Sequence, residues 1–112
     1  MDLNIQSFTP YSNFDSRHSS WLRTRVIKLS HKQPDVLVID MQNVYFIDSC
    51  GLGTLCTARR LARESGFRLF ICSLNEEVKF LLDITSMSQY FEIFSNRHEA
   101  LKATKTDEVL CA

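Results

Sequence analysis

Ser49 is the side chain of this sequence best placed to do chemistry, because it stands in the run Asp48-Ser49-Cys50-Gly51-Leu52-Gly53 where a helix is predicted to begin. The first backbone N–H groups of a helix have no partner within the helix, and the helix dipole adds a partial positive charge there. Such a position favours an anion. The hydroxyl of Ser49 is therefore predicted either to carry a phosphate or to cap the helix.

Two glycines, Gly51 and Gly53, fall in the first turn of this predicted helix. A glycine inside a helix costs about 1 kcal/mol relative to alanine, so the pair requires a structural reason. One reason is close packing of the helix on the sheet, and another is close approach of a partner's backbone. The competing interpretation is that Ser49 or Asp48 is only an N-cap and that the glycines serve packing.

Catalytic functions need residues that this sequence does not bring together. A thiol catalyst at Cys50 needs a base, and no histidine is near it in the sequence. A phosphoaspartate receiver at Asp40 or Asp48 needs a lysine at the end of a later strand, where Cys72-Ser73 stands instead. We therefore predict no enzymatic activity.

Metal and cofactor sites are not predicted either. The histidines are scattered over different elements without a carboxylate or cysteine at ligand spacing, and are expected at the surface: His18, His31 and His98. The run Gly51-Leu52-Gly53 has two of the glycines of a dinucleotide loop, but Cys56 stands where the third belongs. We expect neither a cofactor nor a metal.

The composition narrows the classes of partner. The 112 residues include thirteen basic and thirteen acidic side chains, which gives a formal net charge of zero. A neutral chain has no global attraction to nucleic acid or to an anionic membrane, so proteins or small ligands are the expected partners. No apolar run approaches the ~20 residues of a membrane helix, and no signal pattern opens the chain. Four cysteines without a CxxC pair favour a reducing, cytoplasmic setting.

Apolar periodicity predicts alternating strands and helices. Strands are predicted at 3–8, 36–39, 67–72 and 91–94. Helices are predicted between Asp15-Ser16 and Pro34, over 51–64, after Asn75 and over 97–104. This alternation predicts an α/β domain with a mostly parallel sheet and crossover helices. Functional loops in such domains follow the carboxyl ends of the strands, and Ser49 is predicted to lie there.

Helix ends and faces are also predicted. Asp15-Ser16 is expected to cap the first helix, and Asn75 the third. The inward stripe of the second helix is expected to comprise Leu52, Leu55, Ala58 and Ala62.

The segment from Val36 through Gly53, with the later turn Phe80-Leu81-Leu82-Asp83-Ile84-Thr85, resembles the STAS domain family and, within it, the bacterial anti-sigma-factor antagonists. Their hallmark, Asp-Ser-(Ser/Thr)-Gly-Leu-Gly at the start of a helix, is matched by residues 48–53. The resemblance covers residues 3–104 as a single domain and leaves 105–112 as a flexible C-terminal tail. It implies a STAS-like sandwich, with crossover helices packed on a mostly parallel sheet of four to five strands.

The resemblance also implies a function. In that family a partner serine kinase, itself the anti-sigma factor, phosphorylates the first serine of the hallmark, and a phosphatase resets the cycle. Ser49 is thus the implied phosphoacceptor, whose phosphorylation releases the kinase. Asp48 would orient the loop, and Asp15 would contribute to the kinase-facing surface. The remaining implied partner-binding residues of the hallmark are Cys50, Gly51, Leu52 and Gly53.

A basic group follows on the outer face of the second helix: Arg59, Arg60 and Arg63. It is either a solvated face or a basic contact to an acidic surface of the kinase. Arg59 is therefore kept among the candidate partner-binding residues.

Two departures from the family pattern leave alternatives open. Cys50 replaces the second hydroxyl residue of the hallmark, which either alters the loop's hydrogen bonds and redox sensitivity or merely fills space. A single strand over Leu3 to Phe8 replaces two strands, so the sheet edge is either exposed or paired with another chain, as in a homodimer. The alternative function is a STAS scaffold or transporter-accessory subunit without a phosphoswitch.

Overall fold

The computed structural model describes residues 3–11 and 13–111, with side chains described as far as Thr104. Strands and helices alternate along the chain: β1 (Ile5–Phe8), α1 (Ser19–Ser30), β2 (Val36–Asp40), α2 (Ser49–Ser65), β3 (Arg68–Cys72), α3 (Glu76–Ile84), β4 (Glu92–Phe94) and α4 (Arg97–Cys111). A short 3-10 helix, Ser88–Tyr90, precedes β4. The predicted order of elements is confirmed.

The sheet has the order β1-β2-β3-β4, and every pair of neighbouring strands is parallel. Parallel neighbours need crossover connections, and α1, α2 and α3 supply them. The predicted α/β class is confirmed, with four strands in the part of the chain that the structure describes. Strand β1 forms one edge of this sheet, beside β2.

Strand β2 is buried along its whole length, as its uninterrupted apolar sequence predicts. Leu37 and Ile39 belong to the cluster that also contains the buried side chains of α1, α2 and α3. Val36 and Val38 instead pack in a second cluster with Ala100 of α4. The sheet is therefore covered on both faces, and its two faces follow the two-residue alternation of the strand.

The predicted cap of α1 is wrong. The helix begins at Ser19 after His18, which makes no side-chain capping bond. The Asp15 carboxylate instead accepts hydrogen bonds from the backbone and side chain of Arg17 and contacts the His18 ring. Asp15 thus organises a turn before the helix.

The predicted stripe of α2 is largely confirmed, since Leu55, Ala58 and Ala62 are buried. Leu52 is only partly buried, while Gly51 and Thr54 are buried instead. The last helix extends to Cys111, beyond the predicted end at Thr104. The domain bounds 3–104 and the flexible tail over 105–112 stay predictions, since the side chains beyond Thr104 lie outside the described residues.

Candidate functional site

The segment before α2 is held beside an earlier part of the chain. Phe14 donates its backbone N–H to the Phe46 carbonyl, and its own carbonyl accepts the N–H of Asp48, each at 3.0 Å. Phe14 and Ile47 form an isolated parallel bridge, and both side chains are buried. These bonds place residue 48 at the start of α2, on a rigid base.

Asp48 is the N-cap of α2, with extended backbone angles. One carboxylate oxygen, Oδ1, accepts the N–H of Gly51 at 3.0 Å, and the other, Oδ2, accepts the N–H of Ser16 at 3.0 Å. The same side chain therefore satisfies an unpaired N–H of α2 and joins α2 to the turn before α1.

Ser49 is the first residue of α2 and is exposed. Its hydroxyl makes no hydrogen bond within the described residues, because Asp48 provides the cap. The structure therefore assigns the capping role to Asp48. Ser49 is left exposed at the positive end of the helix, with its hydroxyl unused.

The two glycines have different surroundings. A Cβ on Gly51 would lie 2.0 Å from the carbonyl oxygen of Phe14, which is backbone and cannot move away without breaking its bond to Asp48. A Cβ on Gly53 would meet no heavy atom within 4 Å from the described residues outside its own stretch of helix. Packing within the chain therefore explains Gly51 and leaves Gly53 without an internal reason.

The other residues in and next to the hallmark differ in solvent exposure. Cys50 is exposed, and Leu52 is partly buried against the main core. Thr54 is buried, and its hydroxyl donates to the Cys50 carbonyl at 3.1 Å. Ser49, Cys50 and Gly53 therefore share the accessible side of the first turns of α2.

Asp15 lies beneath this region and is only 4% exposed. Arg17 donates to its Oδ2 at 2.9 Å, and the His18 Nδ1 lies 2.9 Å from its Oδ1. The hydrogen bond from Arg17, opposed by desolvation and assisted by His18, holds the pKa of the Asp15 carboxyl below its usual range. Asp15 therefore supports the turn that Asp48 bonds to and offers little surface of its own.

The pairing of His18 with the Asp15 carboxylate was not predicted from the sequence. The signal was the spacing Asp15-Ser16-Arg17-His18, in which a cation and an imidazole follow an aspartate by two and three residues. The expectation that His18 pairs with no carboxylate is wrong, because the turn before α1 folds both side chains back onto Asp15.

An apolar patch adjoins the Ser49 loop and was not predicted. Phe46 is 49% exposed, Phe80 63% and Ile84 61%, and together with Leu81 these side chains line one shallow groove. We define these four residues as the apolar patch. Exposed apolar groups gathered in this way, rather than scattered singly, mark an interaction surface.

Asn75 fixes the two halves of the apolar patch relative to each other. Its Oδ1 accepts the Val78 N–H at 2.8 Å and caps α3, as the sequence predicts. Its Nδ2 donates to the carbonyls of Val44 and Tyr45, at 3.4 and 3.3 Å. Helix α3 is thus fastened to the segment that leads into Ser49.

Arg59 lies further along α2. Its Nε donates to the Tyr90 carbonyl at 2.6 Å, and its guanidinium carbon lies 5.1 Å from the centre of the Tyr90 ring. Ten residues of helix separate it from Ser49, which corresponds to about 15 Å along the axis. The structure therefore does not bring Arg59 together with the Ser49 loop.

Asp40, considered above as a phosphoaspartate, and two of the cysteines lie in buried or partly buried surroundings. Asp40 is buried and accepts hydrogen bonds from the backbone and side-chain amide of Gln42. Burial raises the pKa of the Cys56 and Cys72 thiols.

Among the described residues, no group of three or more His, Cys, Asp or Glu side chains is arranged to hold a metal ion. In the same residues, no helix has the length and apolar character needed to cross a membrane.

The fold and the hallmark loop together define a class of protein. A model of the STAS domain family matches residues 4–100. The chain therefore belongs to the STAS domain family, as the resemblance in its sequence predicts.

The chain is also similar to one relative in sequence and to two solved structures. An anti-sigma F factor antagonist of Paenibacillus polymyxa is 29% identical over 73 residues, or 65% of this chain and 62% of that protein. The match thus spans less than two thirds of the relative's length.

A crystal structure described as a candidate anti-sigma factor antagonist of Thermotoga maritima has a TM-score of 0.85 and 20% identity, covering 90% of this chain and 87% of that one. A sulfate transporter family protein of Wolinella succinogenes has a TM-score of 0.83 and 16% identity, covering 95% and 88%. At these identities the structures establish the shared fold.

Proposed function

We propose that this chain is an anti-sigma-factor antagonist-like regulatory module, without catalysis of its own, that binds an anti-sigma serine kinase when Ser49 is unphosphorylated. Phosphorylation of Ser49 by that kinase releases the complex, and a phosphatase restores the binding form. The cycle takes place in the cytoplasm. The observation that carries the proposal is the exposed hydroxyl of Ser49 on a helix that Asp48 already caps.

The helix N-terminus explains why a phosphate would leave the fold intact. A phosphoserine brings about −1.5 to −2 charges at pH 7, and it would stand at the positive end of α2. The Ser49 hydroxyl takes part in no hydrogen bond of the described structure, so modifying it removes no internal contact. The switch therefore acts on the surface and requires no refolding.

The surroundings of Ser49 explain why the same phosphate would weaken a complex. A partner that covers the apolar patch would also cover Ser49, because Phe46 leads directly into the Asp48 cap. Burying a dianion beside the Asp48 carboxylate and apolar side chains costs desolvation that the unmodified hydroxyl does not require. The free energy of binding therefore becomes less favourable on phosphorylation.

Gly53 supports an interface at the same place. It lies within the helix, where alanine is more stable, and a Cβ there would meet no heavy atom from any other part of the described chain within 4 Å. Close approach of a partner's backbone to α2 would use that space. Gly53, Cys50 and Leu52 would then form the part of the interface along α2.

Phosphate transfer is the direct test. The protein is incubated with ATP and candidate serine kinases of the histidine-kinase-like type, and peptides are analysed by mass spectrometry. One phosphate is expected on Ser49 of the wild type and none at that position in Ser49→Ala. Ser20→Ala, which removes an exposed serine in the first turn of α1, is the matched control and must retain the phosphate. Absence of transfer from every kinase would favour the scaffold or transporter-accessory function.

A further inference from the structure

A second polar surface lies on α2 away from the Ser49 loop. Arg59, Arg60 and Arg63 line one groove together with Cys56 and Glu64. We call this surface the arginine groove. Through Arg59 and Arg63 it continues into a cleft bordered by Tyr90 and Glu92.

Arg59 is held in place for recognition. Its Nε is bonded to the Tyr90 carbonyl and its guanidinium lies over the Tyr90 ring, so the side chain is already ordered. Within the described residues its terminal Nη groups donate no hydrogen bond. An arginine fixed by Nε and stacking presents its remaining N–H groups in a planar fork that fits a carboxylate, with less entropy lost on binding.

The charge of the arginine groove is poorly compensated inside the chain. Arg63 makes no ion pair or hydrogen bond with any residue that the structure describes. Arg60 lies 4.0 Å from Glu64, and both side chains are about two-thirds exposed (67% and 64%), so this pair contributes little. The arginine groove therefore contains three arginines and a single carboxylate, that of Glu64, which is only weakly paired.

We propose that the arginine groove binds a short acidic segment of a partner protein, through carboxylates that pair with Arg59 and Arg63. Glu64 borders the arginine groove, the Glu92 carboxylate in the adjoining cleft is already paired with Arg68, and the chain has no net charge. A long polyanion such as nucleic acid, or an anionic membrane, would meet Glu64 beside only three arginines and gain no long-range attraction from the neutral chain. A flexible segment with one or two carboxylates can reach the arginines without contacting the glutamate, and it does not need long-range attraction to bind.

This surface goes beyond the proposed function and does not depend on it. Its first arginine, Arg59, lies about 15 Å along α2 from Ser49, more than a Debye length at physiological salt. An acidic segment held there stays bound whether Ser49 carries a phosphate or not.

The test uses a defined probe, an acetylated and amidated peptide of alternating glutamate and glycine, titrated into ¹⁵N-labelled protein at low salt. Amide shifts are expected at residues 59–64 and 90–92, and the same peptide with glutamine in place of glutamate should produce none. The double variant Arg59→Glu/Arg63→Glu is expected to weaken binding by about ten-fold or more, and added salt to weaken it in the wild type. Ser49→Glu is expected to leave the shifts unchanged.

The matched control is Arg23→Glu/Lys28→Glu, which makes the same change of net charge on exposed positions of α1 and should bind as the wild type does. Thermal unfolding of each variant verifies that the fold is retained. Equal weakening in both double variants, shifts confined to other surfaces, or no shifts at all would overturn the proposal. Tighter binding of an oligothymidylate or of phosphatidylserine vesicles to the same residues would also overturn it, in favour of a polyanion.

Discussion

The carbonyl oxygen of Phe14 occupies the space that a side chain at position 51 would need, 2.0 Å from the Cβ of an alanine placed there. This contact couples the turn before α1 to the first turn of α2. Because the same oxygen accepts the N–H of Asp48, a shift of Phe14 would also disturb the cap beside Ser49.

Gly51→Ala and Gly53→Ala therefore form a matched pair with opposite outcomes. Gly51→Ala is expected to lower the free energy of unfolding by about 1–3 kcal/mol, as overpacking does. Gly53→Ala fills open space in a helix and is expected to raise it by about 0.5–1 kcal/mol while weakening kinase binding. Chemical denaturation and a binding assay on both variants measure this. Equal destabilisation by the two substitutions would contradict the packing account.

Asp48 is expected to contribute as a cap and as a cross-link. Asp48→Ala removes acceptors for the N–H groups of Gly51 and Ser16, and should lower the free energy of unfolding by about 1–2 kcal/mol. Asp48→Asn retains one acceptor oxygen and should lose less. Hydrogen exchange should accelerate at Gly51 and Ser16 in Asp48→Ala. Unchanged exchange at Ser16 would show that the cross-link is absent in solution.

The pH dependence of stability should contain a contribution from Asp15. Its folded-state pKa is lowered, chiefly by Arg17, so the ionised carboxylate stabilises the fold above the unfolded pKa of about 3.9. That contribution is lost as the pH falls through the lowered folded-state pKa. The difference in unfolding free energy between wild type and Asp15→Asn should be larger at about pH 5 than below about pH 4, where it shrinks.

Denaturation curves at several pH values measure this difference. Asp83→Asn, which changes an exposed aspartate on α3, is the control for loss of one acidic side chain. A difference for Asp15→Asn that grows on acidification would contradict the assigned direction.

The apolar patch should matter for binding and little for folding. Phe80→Ala and Ile84→Ala remove side chains that are mostly exposed, so the free energy of unfolding should change by no more than about 0.5 kcal/mol. Binding to the kinase should weaken by about ten-fold for Phe80→Ala, because a large apolar contact is lost. Tyr11→Ala, which removes an exposed aromatic from another surface, is the control. Full binding by Phe80→Ala would place the interface elsewhere.

Most of the fold could be predicted from the sequence because its signals are local. Alternating apolar runs and helical periodicity give the order of elements. Asn75 begins α3 because its side chain caps the helix, and Gly66 ends α2 because it adopts a left-handed backbone conformation. The start of α1 could not be predicted, because Asp15 is as good a cap by type as it is a partner for Arg17 and His18. Only the packed turn decides between these roles.

The site was predicted less completely, because its geometry depends on contacts distant in sequence. Ser16 and Asp48 are 32 residues apart, and Phe14 reaches Gly51 from a similar distance along the chain. The sequence identified the hydroxyl and the glycines but could not separate the packing glycine from the open one. The apolar patch was hidden for the same reason, since Phe46 and Phe80 meet only when α3 packs beside the loop.

The affinity of the kinase for the two forms of the protein tests the central claim most directly. Phosphoserine is incorporated at position 49 during synthesis, and both forms are titrated with the kinase that transfers phosphate to Ser49. We expect the phosphorylated form to bind at least about ten-fold more weakly, with unchanged circular dichroism, because the added charge must be desolvated at the interface. Equal affinity of the two forms would contradict the phosphoswitch.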